Sequence, residues 1–563
     1  MQDGAAQAQQ FFMQGWALHQ KQQLADALGF YAKALALQPQ HFDALHLSGI
    51  AAAQNQDLPR ARALMTQAIA AQPQHAVAYV NRGAVLLDMG LLEEALADCD
   101  HALARQQGQP GEADSHYRRG NVLKALGRHP QALDAYARAM ALEPARADFH
   151  NSCGIVLRLL GRYAQALAAF DRALALQPAY PQAFNNRANT LNNLDRQPEA
   201  LQSYDQAITL QPGFATFHTN RGNILQELGQ VEAALQSYRQ ATVLDPADAH
   251  ARWSLSLCLL QLGRFEEGWP AYEYRWERAD YRDRKSAHFR QPRWNGQESL
   301  EGKTLLLHTE QGLGDTLQFC RYATVAAQRG ARVILEAQAA LLPLLQDLAG
   351  VHELRAPGGA MPAYDLQCPL LSLPLAFGTR LDTIPAATPY LRAAPEKIAH
   401  WERWLGPRTG PRVGLVWSGS AGHQNDHRRS IALAQFLTLL PEDVQPVSLQ
   451  KDLRPADREA LQARPGLLHA GEALADFSDT AALCELMDLV VSVDTSVAHL
   501  AGALGKPVWV LLPTNPDWRW TLDRADSSWY PSARLFRQTR RGEWDEVLAS
   551  VRRALAQPGG PGW

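Results

Sequence analysis

The chain has 563 residues, 46% hydrophobic and 20% charged, too many for one ordinary hydrophobic core, so two to four domains are expected. With 54 Lys and Arg against 57 Asp and Glu its formal net charge is −3, which leaves no basic footprint for nucleic acid or an anionic membrane surface. Six scattered cysteines, without a C-x-x-C pair, argue against a disulfide framework or a zinc site and fit a reducing compartment. The first residues lack an export-signal layout and no long apolar run occurs, so no membrane span is expected and the expected location is cytoplasmic.

The first half is periodic. Gly15, Gly49, Gly83, Gly120, Gly154 and Gly222 share one register of 34 residues, with one step of 37 and Ala188 in the skipped place. Pro39, Pro73, Pro110, Pro144, Pro178, Pro212 and Pro246 keep the same period, and small residues with an aromatic recur between them, as in Ala27, Tyr31 and Ala34. Two amphipathic helices per unit need small residues where they cross closely and a proline where the second must stop. On these residues the region resembles the tetratricopeptide repeat, with seven clear repeats over 8–248 and a degenerate eighth ending near 282. The resemblance implies an α-solenoid whose groove holds a protein or peptide partner. Asn81, Asn186 and Asn220 occupy one repeat position, and Asn121, Asn189 and Asn223 another. An amide side chain both donates and accepts, so these six are expected to grip a peptide backbone; the plainer alternative is a solvated polar face.

Residues 283–302 are polar and aperiodic and read as a linker or docking segment. Beyond them, "KTLLLHTE" and "ARVILEA" read as buried strands of one α/β unit (303–390). The runs "RVGLVWSGS", "QPVSLQK", "LVVSVD" and "KPVWVLL" belong to a second (391–563). Two Rossmann-like domains are expected. In such sheets ligands bind at the carboxyl ends of strands, where helix N-termini offer free N–H groups. Asp494, Thr495 and Ser496 stand at such an end and make a place for a diphosphate, or an ordinary helix cap. In "TEQGLGDTLQF", Gly312 and Gly314 permit close backbone approach and Asp315 is delivered at the strand-to-helix turn. The incomplete G-x-G-x-x-G, with Leu317 in its third place and Glu336 about 20 residues on, keeps a nicotinamide enzyme as a rival.

"QGLGDTLQF" and "SVDTSVAHLAGALGKPVWVLLP" together resemble the heptosyltransferase-like glycosyltransferases of family 9, above all the bacterial subgroup in which this module follows tetratricopeptide repeats. "GLVWSGSAGHQNDHRRSI", "VSLQK", "DWRW" and "SSWYPSARLFRQ" agree with that subgroup. The resemblance implies a GT-B module with an acceptor-side half (303–390) and a nucleotide-sugar half (391–563). It also implies inverting, metal-independent sugar transfer with no cofactor beyond the nucleotide-sugar donor. Carried over residue by residue, Asp315 becomes the general base, and Asp494, Thr495 and His499 bind the donor diphosphate, with Ser496 where the family has glycine. The family's phosphate-binding lysine has no clear match, and Arg428 or Arg429 is expected to replace it. Gly312, Gly314, His423, Gln450, Lys451, Asp517 and Trp518 are expected near donor nucleotide or sugar, although Trp518 reads equally as a buried aromatic. Trp529 and Tyr530 are expected in the core.

The chemistry asks for these residue types. In-line displacement at the anomeric carbon needs one base for the acceptor hydroxyl, and the departing diphosphate needs N–H groups, hydroxyls or a guanidinium. No D-x-D stands at a strand end in the second half, and Asp98-Cys99-Asp100 falls in a repeat helix. The expected acceptor is a polypeptide such as flagellin or another surface protein. The alternatives are an interaction scaffold with an inactive or nucleotide-sensing transferase fold, or transfer to a lipopolysaccharide-type glycan.

Overall fold

A computed structural model describes residues 2–282, 289–422 and 426–557, so His423 lies outside the described residues. The chain forms two compact units, Met1–Asn220 and Arg221–Trp563.

The first unit is a succession of helix pairs, from Gln2–Gln20 with Leu24–Leu37 to Pro181–Asn193 with Gln197–Leu210. Its glycine register has a steric cause. A Cβ added at Gly15 would lie 2.7 Å from the Tyr31 ring, and one at Gly120 would lie 2.5 Å from Tyr136, so a side chain there would push the paired helices apart. Ala27, Tyr31 and Ala34 are fully buried on the facing helix. Prolines follow the helix ends as expected: the helix ending at Leu37 is capped by Gln38, just before Pro39. Asp98 and Asp100 are spent on Arg82 and Arg119, so the D-x-D there is structural.

The second unit opens with the closing repeats, including helices Val231–Leu244, Ala249–Gln261 and Phe265–Tyr272, and continues into two parallel sheets. The first comprises β1 (Thr304–His308), β2 (Arg332–Glu336), β3 (Val351–Arg355) and β4 (Leu366–Pro369) in the order β3-β2-β1-β4. The second comprises β5 (Arg412–Val416), β6 (Gln445–Ser448), β7 (Leu468–His469), β8 (Leu489–Val493), β9 (Val508–Leu512) and β10 (Ala533–Arg537). Their order is β10-β9-β8-β5-β6-β7. Strand order reverses between β1 and β4 and between β5 and β8. The loops leaving β1, β5 and β8 therefore open beside the crevices where parallel sheets take ligands. β5, β8 and β9 are buried along their whole length, as parallel strands covered on both faces must be.

The described part of the polar segment at 289–302 docks on the first sheet. Trp294 N–H donates to the Gln367 carbonyl (2.8 Å), Gln367 N–H donates to the Pro292 carbonyl (3.1 Å), and the Trp294 ring is buried.

The tail of the repeats is fastened to the same domain. Arg275 is completely buried; its Nε and Nη2 donate to Glu310 (3.1 and 2.8 Å), its Nη1 to Glu273 (2.7 Å), and Nη2 also to Ser372 (2.8 Å). Burial works against the Arg275 charge, but Glu310 and Glu273 outweigh it and raise its pKa. Glu310 belongs to the loop that carries Gly312 and Asp315, so this network fixes the base of that loop.

Candidate functional site

Within the second unit a cleft of about 1180 Å³ is lined by the loops that leave β1, β5, β6, β8 and β9. Of the expected residues it gathers Gly312, Gly314, Asp315, Arg429, Gln450, Lys451, Asp494, Thr495, Ser496, His499 and Asp517. It does not include Arg428 or Trp518 in its lining.

Asp315 sits in the first turn of the short helix Leu313–Phe319. Its Oδ2 accepts the Gly312 N–H at 2.8 Å, and its Oδ1 is ion-paired with Arg519 from the turn after β9. Arg519 is nearly buried; its Nε donates to Gln318 Oε1 (2.8 Å) and its Nη1 to Asp517 (2.8 Å). Arg519 belongs to the "DWRW" segment, in which the sequence assigns it no role of its own. In the 3₁₀ turn Trp518–Trp520 it is the arginine, not the tryptophan before it, that faces the cleft.

Gly314 permits a close approach of backbone to side chain at the cleft. A Cβ there would meet His499 Cδ2 at 3.0 Å and Ser496 Cα at 3.5 Å, so the glycine lets the β1 loop seat against the helix after β8. Gly419 does the same for Arg429, whose guanidinium lies 2.6 Å from where a Cβ would be. Arg429 donates from Nη1 to the Asp494 carbonyl at 2.9 Å, and its buried Nε has no hydrogen-bond partner among the described residues.

Thr495 is the N-cap of helix Ser496–Ala503, yet its hydroxyl pairs with Ser492 Oγ at 3.0 Å and makes no cap bond. No side chain caps the start of that helix, whose Ser496 and Val497 line the cleft, and the Ala498 N–H donates to the Thr495 carbonyl at 3.1 Å. Farther along the floor, Gln450 Oε1 accepts the Ser418 N–H at 3.2 Å, and the buried Ser418 Oγ has no partner among the described residues.

Three residues weighed in the sequence stand outside the cleft lining. Arg428 pairs with Glu227 of the closing repeats at 3.2 Å and is turned from the cleft. Trp518 is core: it lies edge-on to Trp269 with centroids 5.3 Å apart and is 4% exposed. Glu336, the acid of the nicotinamide rival, pairs with Arg355 at 3.4 Å beside the edge strand β3. Trp529 and Tyr530 are core as expected.

His499 is in the cleft wall but is not a cation there. Its ring stacks on Trp520 with centroids 5.2 Å apart, its Nδ1 bonds the Tyr530 hydroxyl at 3.0 Å, and burial, with the Arg519 charge, pushes its pKa down to about 3. Burial, then the charge of Asp517, pushes Asp494 up to about 6.

These shifts have opposite consequences for stability. Asp494 rises from its ordinary 3.8 to about 6 on folding, so its contribution is present at low pH and lost as pH rises through 6. His499 falls from 6.5 to about 3, so its contribution is present above 6.5 and lost as pH falls. From pH 7 to 5 the histidine costs about 2 kcal/mol and the aspartate returns about 1 kcal/mol. Asp494→Asn removes the compensation. Acidification from pH 7 to 5 should then destabilise the variant by about 1 kcal/mol more than the wild type in denaturant melts. Equal pH dependence of the two proteins would contradict these assignments.

In the repeats the six asparagines divide by role. Asn186 donates to Asn151 Oδ1 (3.0 Å), Asn220 to Asn185 Oδ1 (2.8 Å), and Asn81 pairs with His46 (2.8 Å), each 35 residues back, forming amide rungs between successive repeats. Asn121, Asn189 and Asn223 instead accept the hydroxyls of Tyr136, Tyr204 and Tyr238 at 2.7–2.8 Å. Their carbonyl oxygens brace the helix pair. No helix among the described residues is long and apolar enough to cross a membrane.

Comparison with known proteins agrees with the repeat reading. Models of the tetratricopeptide repeat match residues 74–145 and, for a second model, 117–181, 154–213 and 219–282. Protein FlbA of Caulobacter vibrioides is 27% identical over 319 residues, which is 51% of this chain and 52% of that protein. The chain thus spans about half the length of that relative. A solved tetratricopeptide repeat protein from Parabacteroides merdae is 17% identical, covering 45% of this chain and 99% of its own with a TM-score of 0.39. PilF of Pseudomonas aeruginosa is 16% identical, covering 40% and 99%, with a TM-score of 0.36. The chain joins tetratricopeptide repeats, an architecture suited to protein or peptide partners, to a region of two parallel sheets.

Proposed function

We propose that the protein is an inverting, nucleotide-sugar-dependent glycosyltransferase of GT-B type whose repeats hold a polypeptide acceptor. The observation that carries this reading is a single cleft receiving an acid from one parallel sheet and an arginine, hydroxyls and a helix start from the other. Asp315 arrives from β1, while Arg429, Thr495 and the first turn at Ser496 arrive from the second sheet. Asp315 takes the proton of an acceptor serine or threonine hydroxyl as its oxygen attacks the anomeric carbon. The sugar–phosphate bond breaks on the opposite side, and the electron pair leaves with the nucleoside diphosphate. Arg429 and the helix N–H groups receive that charge in a site already arranged for it. Asp494 and the neutral His499 shape the loop that presents those groups. The repeats raise the local concentration of a weakly held chain beside the cleft to the millimolar range.

A purely scaffolding role is the second reading, favoured by the repeats alone. Calorimetry with ADP, UDP, GDP and CMP separates the two, because the transferase must bind at least one nucleotide. Arg429→Gln should weaken the preferred nucleotide by about 1.5–3 kcal/mol, the worth of hydrogen bonds to a charged group. A protein that binds none of the four, or a variant that binds as the wild type does, would count against the transferase reading.

A further inference from the structure

Beside the cleft lies a second, smaller chamber of about 180 Å³, and Arg429, Asp494 and Asp517 line both. The chamber falls wholly within the second unit. Leu257 and Gln261 of the repeat helix Ala249–Gln261 contribute one part of its wall, and the loop leaving β9 contributes another. Its volume is below the roughly 300–1,000 Å³ of sites that enclose a whole small molecule, and suits a single amino-acid side chain. The walls are tied together in advance. Gln261 is 2% exposed, and its Nε2 donates to Asn515 Oδ1 and to the Pro516 carbonyl, both at 2.8 Å, which fastens the β9 loop to the repeat helix.

The lining combines apolar groups, from Leu257, Pro513 and Pro516, with two guanidiniums, Arg428 and Arg429, and two carboxyls, Asp494 and Asp517. Its charges are matched within the protein: Arg428 pairs with Glu227 at 3.2 Å, and Asp517 with Arg519 at 2.8 Å. Hydrogen-bonding capacity is left over on both sides of the ledger. The Nε atoms of Arg428 and Arg429 have no hydrogen-bond partner among the described residues, Arg429 Nε standing 3.9 Å from Asp426. Both bonds that Asp517 accepts, from the Arg519 N–H and from its Nη1, fall on Oδ1. Donors and acceptors in a charge-balanced chamber match a primary carboxamide, which both accepts and donates and brings no charge. A carboxylate would add a negative charge where burial already pushes Asp494 up to about 6, and an ammonium can only donate. We propose that the chamber is an acceptor subsite for a carboxamide side chain, glutamine or asparagine, of the polypeptide, with its stem against Leu257 and the prolines and its amide among the arginines and Asp517. This deepens the proposed function and rests on the repeats holding a polypeptide.

The test needs no sugar donor. Short fluorescein-labelled peptides with a central serine carry glutamine, asparagine, glutamate, lysine or leucine at each other position in turn, and anisotropy reads their binding to the full-length protein at neutral pH. A carboxamide at one or two positions should bind about tenfold tighter than leucine, glutamate or lysine there, the worth of a hydrogen bond to a charged group. Leu257→Trp fills the chamber from the repeat helix and lies outside the cleft lining. It should erase that preference while nucleoside diphosphate binds as it does to the wild type. Arg428→Gln, also outside the cleft lining, should weaken the preference and serves if the tryptophan variant does not fold. Equal binding of all five residues, no binding at millimolar peptide, tighter binding of glutamate than of glutamine, or a preference that survives both variants overturns the proposal. If no nucleotide binds while the carboxamide preference holds, the transferase reading falls and the subsite stands. Nucleotide binding without that preference removes the subsite alone.

Discussion

Asp315→Asn is expected to lower sugar transfer by about 10²–10⁴-fold, the usual worth of a positioned acid–base group. Asparagine matches aspartate in size, and its carbonyl can still accept the Gly312 N–H that Asp315 Oδ2 now holds at 2.8 Å, so the helix start is preserved. Arg519 keeps Gln318 and Asp517 as partners, so no wholly unpaired charge is left buried. What the amide cannot do is take a proton from an acceptor hydroxyl. Nucleoside diphosphate affinity should stay close to that of the wild type, because Arg429 and the helix at Ser496 belong to the other sheet. The check is therefore a pair of measurements, transfer rate and nucleotide titration on one folded variant. A folded variant that transfers at the wild-type rate would remove Asp315 from the mechanism.

The largest effect on stability is expected at Arg275. Arg275→Met should destabilise the second unit by about 3–5 kcal/mol, the range for breaking a buried ion pair from one side. The cost is mainly that of the partner left behind. Glu310 is 2% exposed, burial already raises its pKa, and its bidentate partner would be gone. Without the guanidinium Glu310 would be driven further toward its neutral form, so its contribution to stability would persist at low pH and vanish as pH rises. Denaturant melts should accordingly find the variant less impaired at pH 5 than at pH 8. A loss below about 1 kcal/mol, typical of an exposed pair, would show that the network is not the anchor it is taken to be.

Much of the fold was legible because the interior strands are continuous apolar runs. β1, β2, β5, β6, β8 and β9 all coincide with segments recognised in the sequence. The four that were not, β3, β4, β7 and β10, all lie at sheet edges, where pairing on one side tolerates short and mixed sequences such as "VHELR". The cleft was legible at Asp315, Arg429 and Asp494–His499 because strand ends feed helix starts there. The neutrality of His499 was not, since it follows from burial and from Arg519, which sequence spacing does not display. Trp518 and Arg519 are neighbours in one 3₁₀ turn, and only the packing of Trp269 and Phe319 against the tryptophan decides which of them faces the cleft.

One signal was present and unread. Asn121, Asn189 and Asn223 each precede a tyrosine by 15 residues, whereas Ile155 stands at that position before Phe170. Each of these three asparagines thus stands opposite a tyrosine of its own repeat, whereas the first repeat places Trp16 before Tyr31 and gives that hydroxyl to His19.

The proposed function requires the repeats to hold a polypeptide and the cleft to glycosylate it. Its most direct test is intact-mass spectrometry of purified bacterial surface polypeptides, flagellin among them, incubated with the full-length protein and a panel of nucleotide sugars. The account predicts a mass gain of one or more sugar residues on the polypeptide with at least one donor, present with the wild type and lost with Asp315→Asn. Nucleotide binding without any such gain, across every donor and acceptor tried, would contradict it.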